Sequence, residues 1–443
     1  MKRKRIIFMM MSITTSLFMF GCSSSTKVSF DEKKLTNLSK QYAEEMAGGN
    51  FSNVVSNFSE DVKKKLNEDT LRETWEDVVK EIGKYENIND VSYKEERNMA
   101  VIDVILKYEL NGLKLTLSYD SNNKVSGLLL NYSPIKEELS SSEKFEEEEI
   151  HIGKGDNKLD GILTMPKDTE KPPVVIMVQG SGQSDMDETI GAVANKPFKD
   201  IAHGLAENGI ASIRYNKRYY QYPQTAPKDM TIEDEVINDV NLAIELASNN
   251  KNINNEKIFV LGHSLGGMLA PQIAKENEQV SGIISLAGSP RKLEDIIYDQ
   301  NKDAINAMTD KSDKQKEELM KQVKSEVDKV KNLEEEDKSQ TIFGINSEYW
   351  ISLNNINTSE ILKELSIPML FLQGEDDFQV YADVDYKQWQ ELCTGKDNAQ
   401  FKLYPKLNHL FMKSNGKKDV TEYDIKGNVD DDVILDISNW INK

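Results

Sequence analysis

Ser264 and the acids and histidine that follow it are the residues whose types and spacing could do chemistry. Ser264 sits in Gly262-His263-Ser264-Leu265-Gly266-Gly267, directly after the apolar run Ile258 to Leu261 and directly before Met268-Leu269-Ala270. A buried strand, a glycine turn and a helix start are the setting in which G-x-S-x-G presents a serine above a sheet. Glycines on either side keep side chains out of the turn, and the amide of Leu265 at the helix N-terminus can donate to an oxyanion. A serine hydroxyl is a weak nucleophile at neutral pH. It needs a base within hydrogen-bond reach, and the base needs a carboxylate to orient it. The adjacent acids Glu375, Asp376 and Asp377 follow a second apolar run, and His409 follows a third. In a tight strand-end turn only one of the three acids can face an imidazole. The bland alternative is a glycine-rich strand–helix turn carrying an idle serine.

The elements that must position these residues read as alternating strands and helices. Ile150 to Met165 reads as a hairpin turning near Gly155-Asp156-Asn157. Val174 to Val178, five apolar residues in a row, read as a strand covered on both faces. Phe198 to Glu207 reads as a helix and Gly209 to Tyr215 as the next strand. Val236, Val240, Ala243, Ile244 and Ala247 share one helical face. Ile283 to Ala287, Pro368 to Leu372 and Phe401 to Tyr404 read as further strands, and Val429 to Ile441 as a closing helix. This alternation predicts an α/β fold with a mostly parallel, doubly wound sheet. Residues 291–353 interrupt it with charged amphipathic helices, where a lid would sit.

The first part of the chain is organised differently. Leu35, Leu38, Tyr42 and Met46 have helical spacing, ended by Gly48-Gly49; Leu71, Trp75, Val78 and Ile82 repeat it, ended by Gly83. Period-two strands follow: Ile102 to Tyr108, then Leu113 to Tyr119 after Asn111-Gly112, then Val125 to Tyr132. Residues 31–132 therefore predict a small α+β domain with Trp75 and the tyrosines in its core, and no catalytic cluster. Residues 133–149, with Pro134, three serines and four consecutive glutamates, read as a linker.

The formal charge of −20 argues against a nucleic-acid surface and against protein-charge adhesion to anionic lipid. No H-E-x-x-H or C-x-x-C pattern points to a metal, and no cofactor is required. Lys2 to Arg5, the apolar run to Phe20 and Gly21-Cys22 resemble a bacterial lipoprotein signal peptide. The resemblance implies cleavage after residue 21, lipid on Cys22, a tether over 22–30 and a membrane-anchored, extracytoplasmic protein. With Cys393 as the one remaining cysteine, no intrachain disulfide forms and the cores hold the domains.

Four stretches over about 145–443 resemble the α/β-hydrolase superfamily, within it the serine aminopeptidase-like and dienelactone hydrolase-like bacterial esterases. They are Gly262 to Gly267, Gly374 to Val380, Leu407-Asn408-His409-Leu410-Phe411, and Val178-Gln179-Gly180-Ser181-Gly182. The last matches an H-G-S-G turn with Gln179 in place of His. The resemblance implies the chain order serine, acid, histidine. It makes Ser264 the nucleophile and His409, the one histidine beyond it, the base. It selects Asp377 as the acid, with Asp376 next, and gives the oxyanion to the amides of Leu265 and Ser181. Arg214 to Arg218 resembles the R-Y-D-K-R segment of these proteins but lacks its Asp. His263 is expected to pack and His203 to face solvent. Residues 31–132 resemble the DUF3887 domain found ahead of such hydrolases, with a fold similar to nuclear transport factor 2. The expected activity is ester hydrolysis on a small molecule through an acyl-enzyme. A peptidase using the same residues, or a binding protein on a retired hydrolase fold, are the alternatives.

Overall fold

The computed structural model describes residues 29–443 apart from 97 and 335, so the signal-like segment and Cys22 lie outside the described residues. Among the described residues no helix is long and apolar enough to cross a membrane.

The larger domain is built on an eight-stranded sheet. Its order is Ala399–Tyr404, Met369–Gly374, Val280–Leu286, Ile258–His263, Val174–Val178, Ala211–Tyr215, Leu159–Pro166, Phe145–Ile152. Leu159–Pro166 alone runs against the others. The central strand Val174–Val178 is buried along its whole length, which is why it reads as an unbroken apolar run. One cluster packs helices Asn238–Asn249 and Leu265–Glu276 on one face. A second packs Pro197–Glu207 and Asp431–Ile441 on the other. Burying each such aliphatic side chain is worth about 1.5–3 kcal/mol, which makes the sheet the rigid reference for the loops at its ends.

The insertion over 291–353 is helical as expected: Leu293–Ala307, Asp313–Lys331 and Ser347–Asn354, with a two-stranded hairpin between the last two. Asp313–Lys331 begins with a capping box at Ser312 and Gln315 and lies largely exposed.

The N-terminal domain packs helices Glu32–Ala47 and Glu68–Val79 on a four-stranded antiparallel meander. Its first strand, Tyr85–Glu96, has no counterpart in the sequence pattern. It is an edge strand with an almost entirely polar outer face and two register shifts, so it carries no clean alternation. Trp75 is buried against Phe51.

The expected linker 133–149 is shorter than its composition implies. Its four consecutive glutamates, Glu146 to Glu149, lie in Phe145–Ile152, an edge strand of the large sheet. Alternation explains this: Glu146 and Glu148 face water, whereas the side chain of Glu147 is 2% exposed and meets Arg214 and His203. Burial works to raise the Glu147 carboxyl, but His203 and Arg214 outweigh it and hold it down at about 2. His203 thus does not point freely to solvent; its Nε2 lies 2.8 Å from Glu147, over the ring of Phe145.

The two domains share a contact. Ala192, in the loop after Val174–Val178, is buried in the N-terminal core, and Asn111 Nδ2 donates to its carbonyl at 3.0 Å.

Candidate active site

Ser264 closes the strand Ile258–His263 and precedes the helix Leu265–Glu276, at φ 53° and ψ −114°. Such a conformation costs a non-glycine residue about 1–3 kcal/mol and persists only where its surroundings impose it. They do: Ser264 N donates to Leu286 O and Ser264 O accepts from Met268 N, both at 2.9 Å. A Cβ on Gly262 would stand 2.1 Å from Gly266 O, and one on Gly266 would stand 2.2 Å from Val178 O, so both glycines are required. Among the described residues Ser264 Oγ makes no hydrogen bond in this conformation. The side chain of Ser264 is partly exposed.

His409 lies in the loop after the last strand. Asn408 shapes that loop: its Oδ1 accepts from Leu410 N at 3.0 Å and Met412 N at 3.2 Å. His409 Nδ1 lies 2.7 Å from Asp377 Oδ2, and both side chains are nearly or wholly buried. A carboxylate only accepts, so Nδ1 carries the proton and Nε2 is left as the acceptor. Asp377 also accepts from Gln373 Nε2 at 2.8 Å, Gln379 N at 2.8 Å and Val380 N at 3.0 Å. Those bonds prevent the carboxylate from turning away. Asp376 turns outward to Lys418 at 3.0 Å, and Glu375 is exposed. Of the three adjacent acids, Asp377 is the one that meets the imidazole.

The turn Gln179 to Gly182 lies against the serine. A Cβ on Gly180 would stand 3.2 Å from Ser264 Cβ and 3.7 Å from Oγ. Gln179, in the place of the expected histidine, is buried and anchors the turn through Nε2 to Tyr215 O and to Asp185 O. Gly180 N donates to Glu188 Oε1 at 2.7 Å and Gly182 N to Glu235 Oε1 at 3.0 Å. Among the described residues the amide of Ser181, between them, has no such acceptor. The amide of Leu265 is likewise unused, in the first turn of its helix.

Residues to which the sequence reading gave no role hold this turn. Lys217 Nζ donates to Gly180 O at 2.8 Å and to Glu235 Oε1 at 2.5 Å. Tyr349, on the inserted helix Ser347–Asn354, donates to Glu235 Oε2 at 2.5 Å. Burial first, and Glu235 beside it, push the Tyr349 hydroxyl well above its ordinary value, so it stays a donor. The available signal was Arg214, Lys217 and Arg218, three cations in five residues at the end of a buried strand. Cations in that place need anionic partners, and they find Glu147, Asp187, Glu235 and Asp239. His263 packs its ring 4.7 Å from that of His409, and its Nε2 donates to His409 O at 2.9 Å.

Residues 194–415, half of the chain, match the family described as serine aminopeptidase, S33. Esterase EstD of Thermotoga maritima is 31% identical over 414 residues, covering 91% of this chain and 94% of that one. The chain belongs to this family of serine hydrolases. Residues 39–128 match a protein of unknown function, DUF3887, so the S33-type hydrolase carries a second recognised domain. Among solved structures, Est1E from Butyrivibrio proteoclasticus is 15% identical, with 66% of this chain and 95% of that chain covered and a TM-score of 0.41. Dienelactone hydrolase from Anabaena variabilis is 15% identical, with 68% and 98% covered and a TM-score of 0.38.

Proposed function

We propose that this S33-type hydrolase cleaves carboxylic esters of small molecules, with Ser264 as nucleophile, His409 as base and Asp377 as the acid that orients it. The buried 2.7 Å pair of His409 and Asp377, on the loops flanking the strained Ser264, carries the reading. His409 Nε2 takes the Ser264 proton as Oγ adds to the acyl carbonyl. The proton then passes to the departing alkoxide as its bond to the acyl carbon breaks. Water, deprotonated by the same imidazole, releases the acid and returns the proton to Ser264. The amides of Leu265 and Ser181 hold the developing oxyanion; losing one such donor costs about 10²–10³-fold in turnover.

A fluorophosphonate probe tests this reading. Wild type takes the label and hydrolyses p-nitrophenyl esters, and Ser264→Ala does neither. A folded wild type that takes no label sinks the reading and favours a binding protein on a retired fold. The aminopeptidase description of the matched family keeps amide hydrolysis as the second reading. Aminoacyl p-nitroanilides turned over faster than the matching esters would select it. We further propose extracytoplasmic anchoring by lipid on Cys22. Incorporation of labelled fatty acid that persists in Cys22→Ser would refute that.

A further inference from the structure

His263 and Glu188 join the two halves of the site that the proposed chemistry needs at once. Glu188 Oε1 accepts from Gly180 N at 2.7 Å, in the turn that offers the Ser181 amide. Its other oxygen lies 3.0 Å from His263 Nδ1. Both atoms are buried, and among the described residues neither has another polar partner; their 3.0 Å approach is a charge contact, not an aligned hydrogen bond. His263 Nε2 reaches the carbonyl of His409, the base itself, at 2.9 Å. The path from oxyanion turn to base loop is therefore Gly180, Glu188, His263, His409, with every link a polar contact of 3.0 Å or less.

Two further observations set Glu188 apart from an ordinary structural acid. It holds φ 53°, in the left-handed region that a glutamate rarely occupies, as Ser264 does. The carbonyl of the same glycine is tied separately by Lys217, so the peptide groups on both sides of Gly180 are pinned. The two oxygens of Glu188 then act on different partners. The first sets the height of the turn, and the second sets the proton on His263 that faces it. Because Nε2 must carry a proton to donate to a carbonyl, Nδ1 must carry one as well to satisfy Glu188.

We propose that Glu188, acting through Gly180 and through His263, is a positioning residue that holds the oxyanion turn and the His409 loop at the spacing required by the tetrahedral intermediate. It touches no reacting atom. This rests on the reading of Ser264 and His409 given above. The fit to the intermediate depends on it more than the fit to substrate does, so its loss shows in kcat and not in KM.

The test compares wild type, Glu188→Ala, Glu188→Gln and His263→Phe as full chains on p-nitrophenyl acetate. Phenylboronic acid, which forms a tetrahedral adduct on a serine, serves as the probe of the oxyanion site. Glu188→Ala should lose kcat by about 10²-fold, with KM within about twofold, and lose boronate affinity by a similar factor. Glu188→Gln keeps an acceptor for Gly180 N and should lose only about tenfold, as should His263→Phe. If Glu188→Ala does not fold, the isosteric Gln variant decides by the same split. A kcat within about threefold of wild type, or a raised KM at unchanged kcat, overturns the proposal. If wild type takes no fluorophosphonate, the reading of Ser264 fails and this proposal fails with it. If wild type is labelled while the Glu188 variants turn over normally, this proposal fails alone.

Discussion

Among the described residues the covered polar side chains of the N-terminal domain are Ser39 and Asn111, whereas those of the hydrolase domain include Arg214, Lys217, Glu235, Asp239, Glu294, Asp377, Asp385 and Glu422. The N-terminal core is otherwise apolar and aromatic: Ser39 pairs with Tyr119 at 2.8 Å, and the hydroxyls of Tyr42 and Tyr108 are buried without a partner. Taking a charge out of water costs several kcal/mol even after relaxation, so the second domain carries a burden that the first avoids. Part of it, Lys217 with Glu235 and Asp377 with His409, lies at the strand ends around Ser264. There the buried charges aim backbone groups and one imidazole, which apolar packing cannot do. The contrast separates a domain built to be stable from one that gives up stability for aim.

The largest break in that contrast comes from the buried acid of the His409 pair. In Asp377→Asn the new amide donates where His409 Nδ1 also donates, so the imidazole takes the wrong tautomer. Turnover should fall about 10⁴-fold with the melting temperature little changed. A loss under about tenfold would point to a different acid.

A matched pair of substitutions sharpens the contrast. Lys217→Met strands Glu235 and should destabilise by about 3–5 kcal/mol. Trp75→Ala opens a hole in the N-terminal core and should cost about 3–5 kcal/mol as well. The two part in turnover per folded molecule, measured against fluorophosphonate-titrated sites. Lys217→Met lowers it, because Gly180 O loses its donor, and Trp75→Ala leaves it alone. Equal effects on turnover would erase the distinction between the domains.

The smallest effect lies in pH. Burial acts to lower the affinity of His263 for a proton. Glu188, the His409 carbonyl and Asp377 together outweigh it and raise the value above 6.5. The native state then binds more protons than the unfolded chain. The contribution is complete below about pH 6.5 and is lost as pH climbs through the raised native value. A melting curve taken against pH should therefore decline above about 6.5 in wild type and flatten in Glu188→Gln, which removes the main partner. Parallel curves would show that the Glu188 contact does not raise the proton affinity of His263.

The alternation of strands and helices in the large domain and the turn that carries Ser264 were open to sequence reading because each has a local signature. Buried strands such as Val174–Val178 are apolar without interruption, and Ser264 sits in a turn that only glycines permit. The choice among three adjacent acids was not legible from spacing alone, since it depends on which way a strand-end turn rolls. Glu188, Glu235 and Tyr349 gave no signal, because a polar side chain that will be buried and one that stays wet look alike in a polar stretch. Tyr85–Glu96 is illegible for the opposite reason: an edge strand that faces water has little apolar pattern to show. Glu147 hid inside a run whose composition suggested a solvated tether.

Ala192 lies four positions beyond Glu188 and is 2% exposed, enclosed by the N-terminal domain. A fragment cut free at the start of the large sheet would expose that alanine to solvent. It would also hand the hydrogen bond of its carbonyl from Asn111 to water. The loop bearing the brace would keep its bond from Ala192 N to Asp424 Oδ1 at 3.0 Å and lose its cover. The front module is thus part of the wall behind the oxyanion turn and not a detachable handle.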